Sequence, residues 1–345
     1  MAIINKPSEH FETSLYTGTG SSLSISSLDF SPDLTWIKGR SGATEHVLTD
    51  SVRGVTKEIS SNDDGAEETV AQGLTAFNSD GFTVGTDGSY NTSSATYASW
   101  NFKAGGSAST NEVGSIDSSV SVNTTSGFSI VTWTGNGTSG ATLGHGLGVK
   151  PSMIISKNRD ASDNWFCYHK TLGATKYIRL NITNPEGSAT SIWNDTEPTT
   201  SVFSVGNDTA VNSSGVDYVA YCFADVQGYS KIGSYIGNGS ADGTYVYTGF
   251  KPAFVMLKKT SGTGNWQMFD DKRVGYNPDN DVLRANLSNT ECTSCVKIDT
   301  LSNGFKLRNT DGDGNTSGGT YIYMSFASEP FTTSTTNGSI PATAR

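Results

Sequence analysis

One pattern recurs three times along the chain and fixes most of what it can fold into. A proline opens a run of alternating apolar residues that closes on a lysine six residues later. The runs are Pro32 to Lys38, Pro151 to Lys157 and Pro252 to Lys258. Each reads as a β-strand beginning just after a proline, where the missing N–H costs no ladder bond. A second pattern follows each run: asparagine, tyrosine six residues on, and phenylalanine five further. It gives Asn91, Tyr97 and Phe102, then Asn212, Tyr218 and Phe223, then Asn315, Tyr321 and Phe326. The spacing predicts an Asx or Gly turn leading into a strand rich in aromatics. Two further landmarks keep the same order. Glycine turns open the units at Tyr16–Gly20, Trp133–Gly137 and Tyr235–Gly239, and short strands around Phe82, Phe203 and Phe305 precede the asparagine turns.

The prolines lie 119 and then 101 residues apart. That period is too long for a solenoid, whose units run to about 20–50 residues, and it matches a β-sandwich module of roughly 100. The expected fold is therefore all-β: three tandem antiparallel β-sandwich domains of jelly-roll or lectin-like type. Composition agrees. Glycine is 39 of 345 residues, and serine and threonine together make up about a quarter. Aromatic content is too high for a disordered chain, no heptads support a coiled coil, and the glycines lack collagen's period of three. The predicted boundaries are an N-terminal arm 1–11, a first repeat 12–105, a Gly/Ser linker 106–126, a second repeat 127–227, a third repeat 228–331 and a tail 332–345. The second and third repeats are joined by so few residues that they should stack rigidly. Arm and tail are expected to need a partner to order them.

The net charge is −10, with no basic stripe, which argues against binding nucleic acid through phosphates. No apolar run is long enough for a membrane helix, and the first residues lack the apolar core of a secretory signal. With only four cysteines, synthesis in a reducing cytoplasm without export is expected. The Cys292/Cys295 pair reads as a coincidental pair in a loop, since structural zinc needs four ligands. The histidines have no zinc-site spacing. Asp311, Asp313 and Asn315 resemble the start of a calcium loop but lack its sixth-position glycine and twelfth-position glutamate, so a plain acidic turn is favoured there. No cofactor is expected.

No nucleophile elbow occurs, and the carboxylate clusters read as loop charges. What the repeats share is apolar and turn residues, which is scaffold, so no enzyme activity is expected. Aromatic residues are the better functional candidates, because glycan recognition uses exposed aromatic faces beside amide and acid groups. Trp193 with Asn194 and Asp195 has no counterpart in the other repeats. Trp165, Tyr168 and His169 form a second cluster, although Trp165 and Trp266 match by repeat position and read first as core.

Several stretches resemble modules of tailed-bacteriophage structural proteins common in phages of marine bacteria. They are Asn5–Phe11 leading into Leu15–Gly18, Phe30–Arg40, Asp50–Gly54, Ala76–Val84, Gly127–Gly137, Asp217–Ala224 and Asn303–Leu307. The resemblance covers nearly the whole chain and brings no catalytic residues. It implies a virion structural protein displayed on the particle, of tail-fibre or adhesin type, attaching to a host-surface glycan. Capsid decoration or a head fibre is the alternative, and a free lectin or glycan hydrolase a further one. The implied partners are other virion proteins and further copies in a closed homo-oligomer, with no nucleic acid and no membrane insertion. Such a protein leaves the cell by lysis, which accounts for a missing signal peptide.

Overall fold

A computed structural model describes residues 4–273, 276–278, 281–330, 332–335 and 338–341. The chain is all-β, with several separate sheets and only single-turn helices. Strands pair within each repeat. In each large sheet the opening strand lies beside the last one, which lies beside the proline-led strand. For the first repeat the order is Phe11–Thr17, Thr96–Phe102, Leu34–Gly39, His46–Asp50, Lys57–Ser60 and Glu68–Thr69. The second sheet repeats it with Phe128–Thr134, Asp217–Phe223, Met153–Asn158, Phe166–His169, Lys176–Arg179 and Gly187–Ser188. The third runs Ser230–Ile236, Thr320–Pro330, Phe250–Lys259, Gln267–Asp270 and Leu283–Arg284. A smaller sheet covers one face of each, carrying Phe82, Phe203 or Phe305.

The other face of all three large sheets meets a single shared core. Alternation divides each strand between the two sides. Leu34 and Trp36, Met153 and Ile155, and Phe254 and Met256 point to the shared core, while Ile37, Ile154 and Val255 face their own small sheet. These strands are therefore buried on both faces. Phe102, Phe223 and Phe326, equivalent by repeat, meet at its centre with ring centroids 5.2–5.9 Å apart.

Six backbone hydrogen bonds between repeats fall into two sets of three equivalent contacts. Asp163 N–H donates to the Asp64 carbonyl, Gly264 to Thr183 and Thr44 to Ser288, at 2.8–3.1 Å. Glu67 donates to Arg159, Glu186 to Thr260 and Glu291 to Arg40, at 2.7–3.1 Å. The first repeat thus touches the third as the second touches the first. The three repeats close into a ring with pseudo-threefold symmetry rather than lying as separate stacked modules. Side chains follow suit: Trp165 Nε1 donates to the Ser60 carbonyl and Trp266 Nε1 to that of Arg179, both at 2.8 Å, while His46 holds the third place against the Arg284 backbone.

Two segments differ from expectation. Within residues 106–126, read as a linker, Ser109–Asn111 and Ser118–Asn123 form strands, and the latter pairs with Phe128–Thr134, extending the second sheet. Val120 is the reason: its side chain is buried in the outer core of that repeat. At the N-terminus Ile4 is buried in the shared core, so the arm is anchored by the chain itself. In the tail Thr332–Thr335 pairs with Gly338–Pro341 as a hairpin.

Candidate binding site

The tryptophan and tyrosine faces singled out in the sequence are not available to a ligand. Trp193 is 2% exposed, at the end of a single helical turn, with its ring edge-on to Tyr168 at 6.3 Å in the outer core of the second repeat. Trp165 and Tyr168 are fully buried, and strand alternation sends them to opposite cores. His169 is buried in the junction with the third repeat, and burial pushes its imidazole down to about 4. Asn194 and Asp195 make the turn after Trp193, both with positive φ; Asn194 accepts from Ser139 Oγ and Asp195 from Thr190 Oγ1. The glycan platform expected here is thus a packed core and its turn.

The acidic turn is likewise spent on scaffold. Asp311 caps a helical turn through the Asp313 N–H at 2.8 Å. Asp313 accepts from Asn265 Nδ2 and Gln267 Nε2, both at 2.9 Å. Asn315 is fully buried; its Nδ2 donates to Asn238 Oδ1 and to the Ser240 and Asn309 carbonyls. Asn91 and Asn212 are equally buried pins in the same place. Among the described residues no group of three metal-ligating side chains converges. Cys292 and Cys295 are joined by a disulfide.

Exposed aromatic surface lies instead on the small sheet of the third repeat. Tyr245 and Tyr247 flank the buried Val246 on an edge strand and share its outward face, 43% and 59% exposed. Pairing with Gly304–Leu307 sets Lys306 opposite Tyr245 and Gly304 opposite Tyr247. Gly304 matters: a β-carbon there would lie 3.2 Å from the Tyr245 ring, so the ring lies over bare backbone, and its hydroxyl donates to Asn303 Oδ1 at 2.7 Å. Partial burial and the neighbouring Tyr247 raise the Tyr245 phenol above its usual range. Asp242 stands beside them, with a side chain 80% exposed and held at 2.5 Å by Lys306 Nζ. Lys306 first, through its hydrogen bond, lowers the Asp242 carboxyl pKa. Tyr276, 70% exposed, precedes Asn277, whose Nδ2 donates to the Thr300 carbonyl in the same sheet.

Strand register shows what is new in this repeat. Val246 corresponds to Ile25 and Leu143, each opposite the small-sheet phenylalanine. Tyr245 and Tyr247 therefore stand where the other repeats carry Ser24 and Ser26, or Thr142 and Gly144. Residues 6–330 match a family described as a domain of unknown function, DUF7483. The chain belongs to the DUF7483 family. Neither the curated proteins nor the solved structures contain a match. The DUF7483 match runs through all three repeats, the same span that the shared core and the ring of junctions hold together. The tyrosine face of this DUF7483 chain was open to sequence reading, since Tyr-Val-Tyr in a strand puts both rings on one side. Attention to tryptophan hid it.

Proposed function

We propose that the protein is a structural component displayed on the surface of a tailed-bacteriophage virion, of tail-fibre or adhesin type, and that it attaches to a host-surface glycan through the tyrosine face of its third repeat. The virion placement rests on the sequence resemblance. The attachment role rests on one observation: the pair Tyr245 and Tyr247, exposed on one face and replaced by small residues in the other two repeats. A sugar ring stacks its C–H face on such rings, while Asp242, Asn303 and Lys306 supply acceptors and donors for its hydroxyls. A closed, doubly buried scaffold holds that face rigid, which limits the ordering cost of binding.

Two experiments test this reading. Gold-labelled antibody against residues 127–331 on intact virions should mark the tail; label over the head would replace the adhesin role with capsid decoration, and unlabelled virions would remove the virion assignment. On a glycan array, the double variant Tyr245→Ala/Tyr247→Ala should lose the sugars bound by the parent, at an unchanged melting temperature. Trp193→Ala serves as the contrast. Truncating a buried tryptophan costs about 3–5 kcal/mol of stability, and the variant, where still folded, should keep its sugar profile. Retained binding by the double tyrosine variant would sink the assignment of the face.

A further inference from the structure

The three junctions of the ring share their backbone bonds but not their charges. At the first–second junction Arg53, paired with Asp50, and Arg159 both clamp Glu67, at 3.1 and 2.9 Å, and Tyr221 donates to Asp50 at 2.8 Å. At the third–first junction Arg273, paired with Asp270, and Arg40 clamp Glu291 at 3.0 and 2.8 Å, with Trp100 Nε1 on Asp270. At the second–third junction every one of these positions but the glutamate is neutral. His169, Leu172, Thr260 and Met324 replace aspartate, the two arginines and the Tyr221/Trp100 donor. Glu186 keeps the backbone bond to Thr260, but its carboxylate is 27% exposed, against 9% and 10% for Glu67 and Glu291, and pairs only with the half-exposed Lys176.

A cleft of about 570 Å³ opens where the guanidinium groups are missing, lined by Leu172, Lys176, Glu186, Ser234, Ile236 and Thr260 among others. The equivalent space beside Arg159 is about 260 Å³. It is also walled by Asp117 and Ser119 of the added strand Ser118–Asn123, which pairs with the outer edge of Phe128–Thr134. The matching edge in the third repeat, Ser230–Ile236, carries no such strand among the described residues, and Ile236 at its end is 62% exposed.

We propose that this junction docks an extended peptide segment of a partner protein, which adds as a strand to the Ser230–Ile236 edge and places an arginine side chain in the cleft against Glu186. The chain itself supplies both halves of the template: strand addition at this edge in the second repeat, and a guanidinium on this glutamate at the other two junctions. Main-chain bonds would give affinity and the arginine specificity. The small sheet with the tyrosine face lies on a different surface of the third repeat, so this docking is independent of glycan attachment.

The test uses the full chain and a synthetic peptide copying residues 115–123 with the change Asp117→Arg, followed by calorimetry and amide exchange. The peptide should bind, and its Asp117→Ala counterpart should bind at least tenfold more weakly. Glu186→Gln should weaken the arginine peptide about tenfold, and Lys176→Ala should tighten it by freeing the carboxylate. Bound peptide should slow amide exchange in Ser230–Ile236 and leave Phe11–Thr17, the free edge beside a filled clamp, unchanged. No binding at 1 mM peptide, equal affinity of the arginine and alanine peptides, or no response to Glu186→Gln would each overturn the proposal. So would protection of Phe11–Thr17 in place of Ser230–Ile236.

Discussion

Lys38, Lys157 and Lys258 close the recurring strand in the three repeats, and all three are fully buried. Each Nζ donates to the carbonyl of the residue that follows it, at 2.7–2.9 Å. Burial lowers each ammonium to about 8. Nearby carboxylates oppose that shift, among them Glu291 of the third repeat for Lys38 and Asp63 and Asp64 of the first for Lys157. The unfolded lysines titrate near 10.4, so between about pH 8 and 10 the unfolded chain holds more protons than the folded one. Stability then rises with pH across that window, and the cost of the buried charge is fully present only below it. The melting temperature should climb between pH 8 and 9.5, and the slope should flatten in the triple variant Lys38→Met/Lys157→Met/Lys258→Met. Above pH 10 the buried tyrosines Tyr16, Tyr221 and Tyr235, whose phenols burial raises well above 10, reverse the trend. A flat profile from pH 8 to 9.5 would show that these ammonium groups are solvated. Glu67 acts at the acid end. Burial raises its carboxyl, but Arg159 and Arg53 outweigh that and hold it below its usual range. Its clamp is intact above about pH 4.3 and is lost as pH falls through the lower folded value.

At the scale of elements, the strands were legible because their signals are local. Proline at the strand start, alternation along it and the asparagine turn after it need no tertiary information. What covered each face was not legible. Leu34-Thr-Trp36-Ile37 is apolar on both sides, and such a run says that both sides are covered without saying by what. The small sheet and the ring axis are different neighbours with the same chemistry. Trp193 failed for a related reason: nothing in an unmatched tryptophan tells a core position from an exposed one. The strand Ser118–Asn123 was hidden by its serines, which leave only Val120 and Val122 to carry the pattern. Val120 is 4% exposed. Val120→Asp places a carboxylate in that core without a partner, and should cost about 3 kcal/mol in urea unfolding. It should leave the third–first junction untouched. A change within 0.5 kcal/mol would mean that the strand is held by its backbone pairing alone.

For the molecule as a whole, the shared core determines what can fold. Half of the apolar surface of each large sheet is buried against the other two repeats. A fragment of residues 106–227 would expose Ile130, Ile155, Trp165, Tyr221 and Phe223 together, a patch far beyond what a monomer tolerates. The fragment should therefore lack dispersed amide NMR signals or associate with itself, whereas residues 4–330 should unfold in one transition. A monomeric, well-dispersed spectrum from the fragment would contradict the reading of the ring as one cooperative unit.

The ring has the geometry of a trimer, but it is written in a single chain. In a trimer of identical subunits one codon governs all three junctions, so exchanging an arginine for leucine would empty every clamp at once. Here Leu172 stands where Arg53 and Arg273 remain, and one junction has lost its clamp while two still bind the ring. Covalent fusion thus separates the fates of equivalent positions: a lineage can specialise one side of such a ring by point mutation while selection on the other two sides continues to preserve the shape.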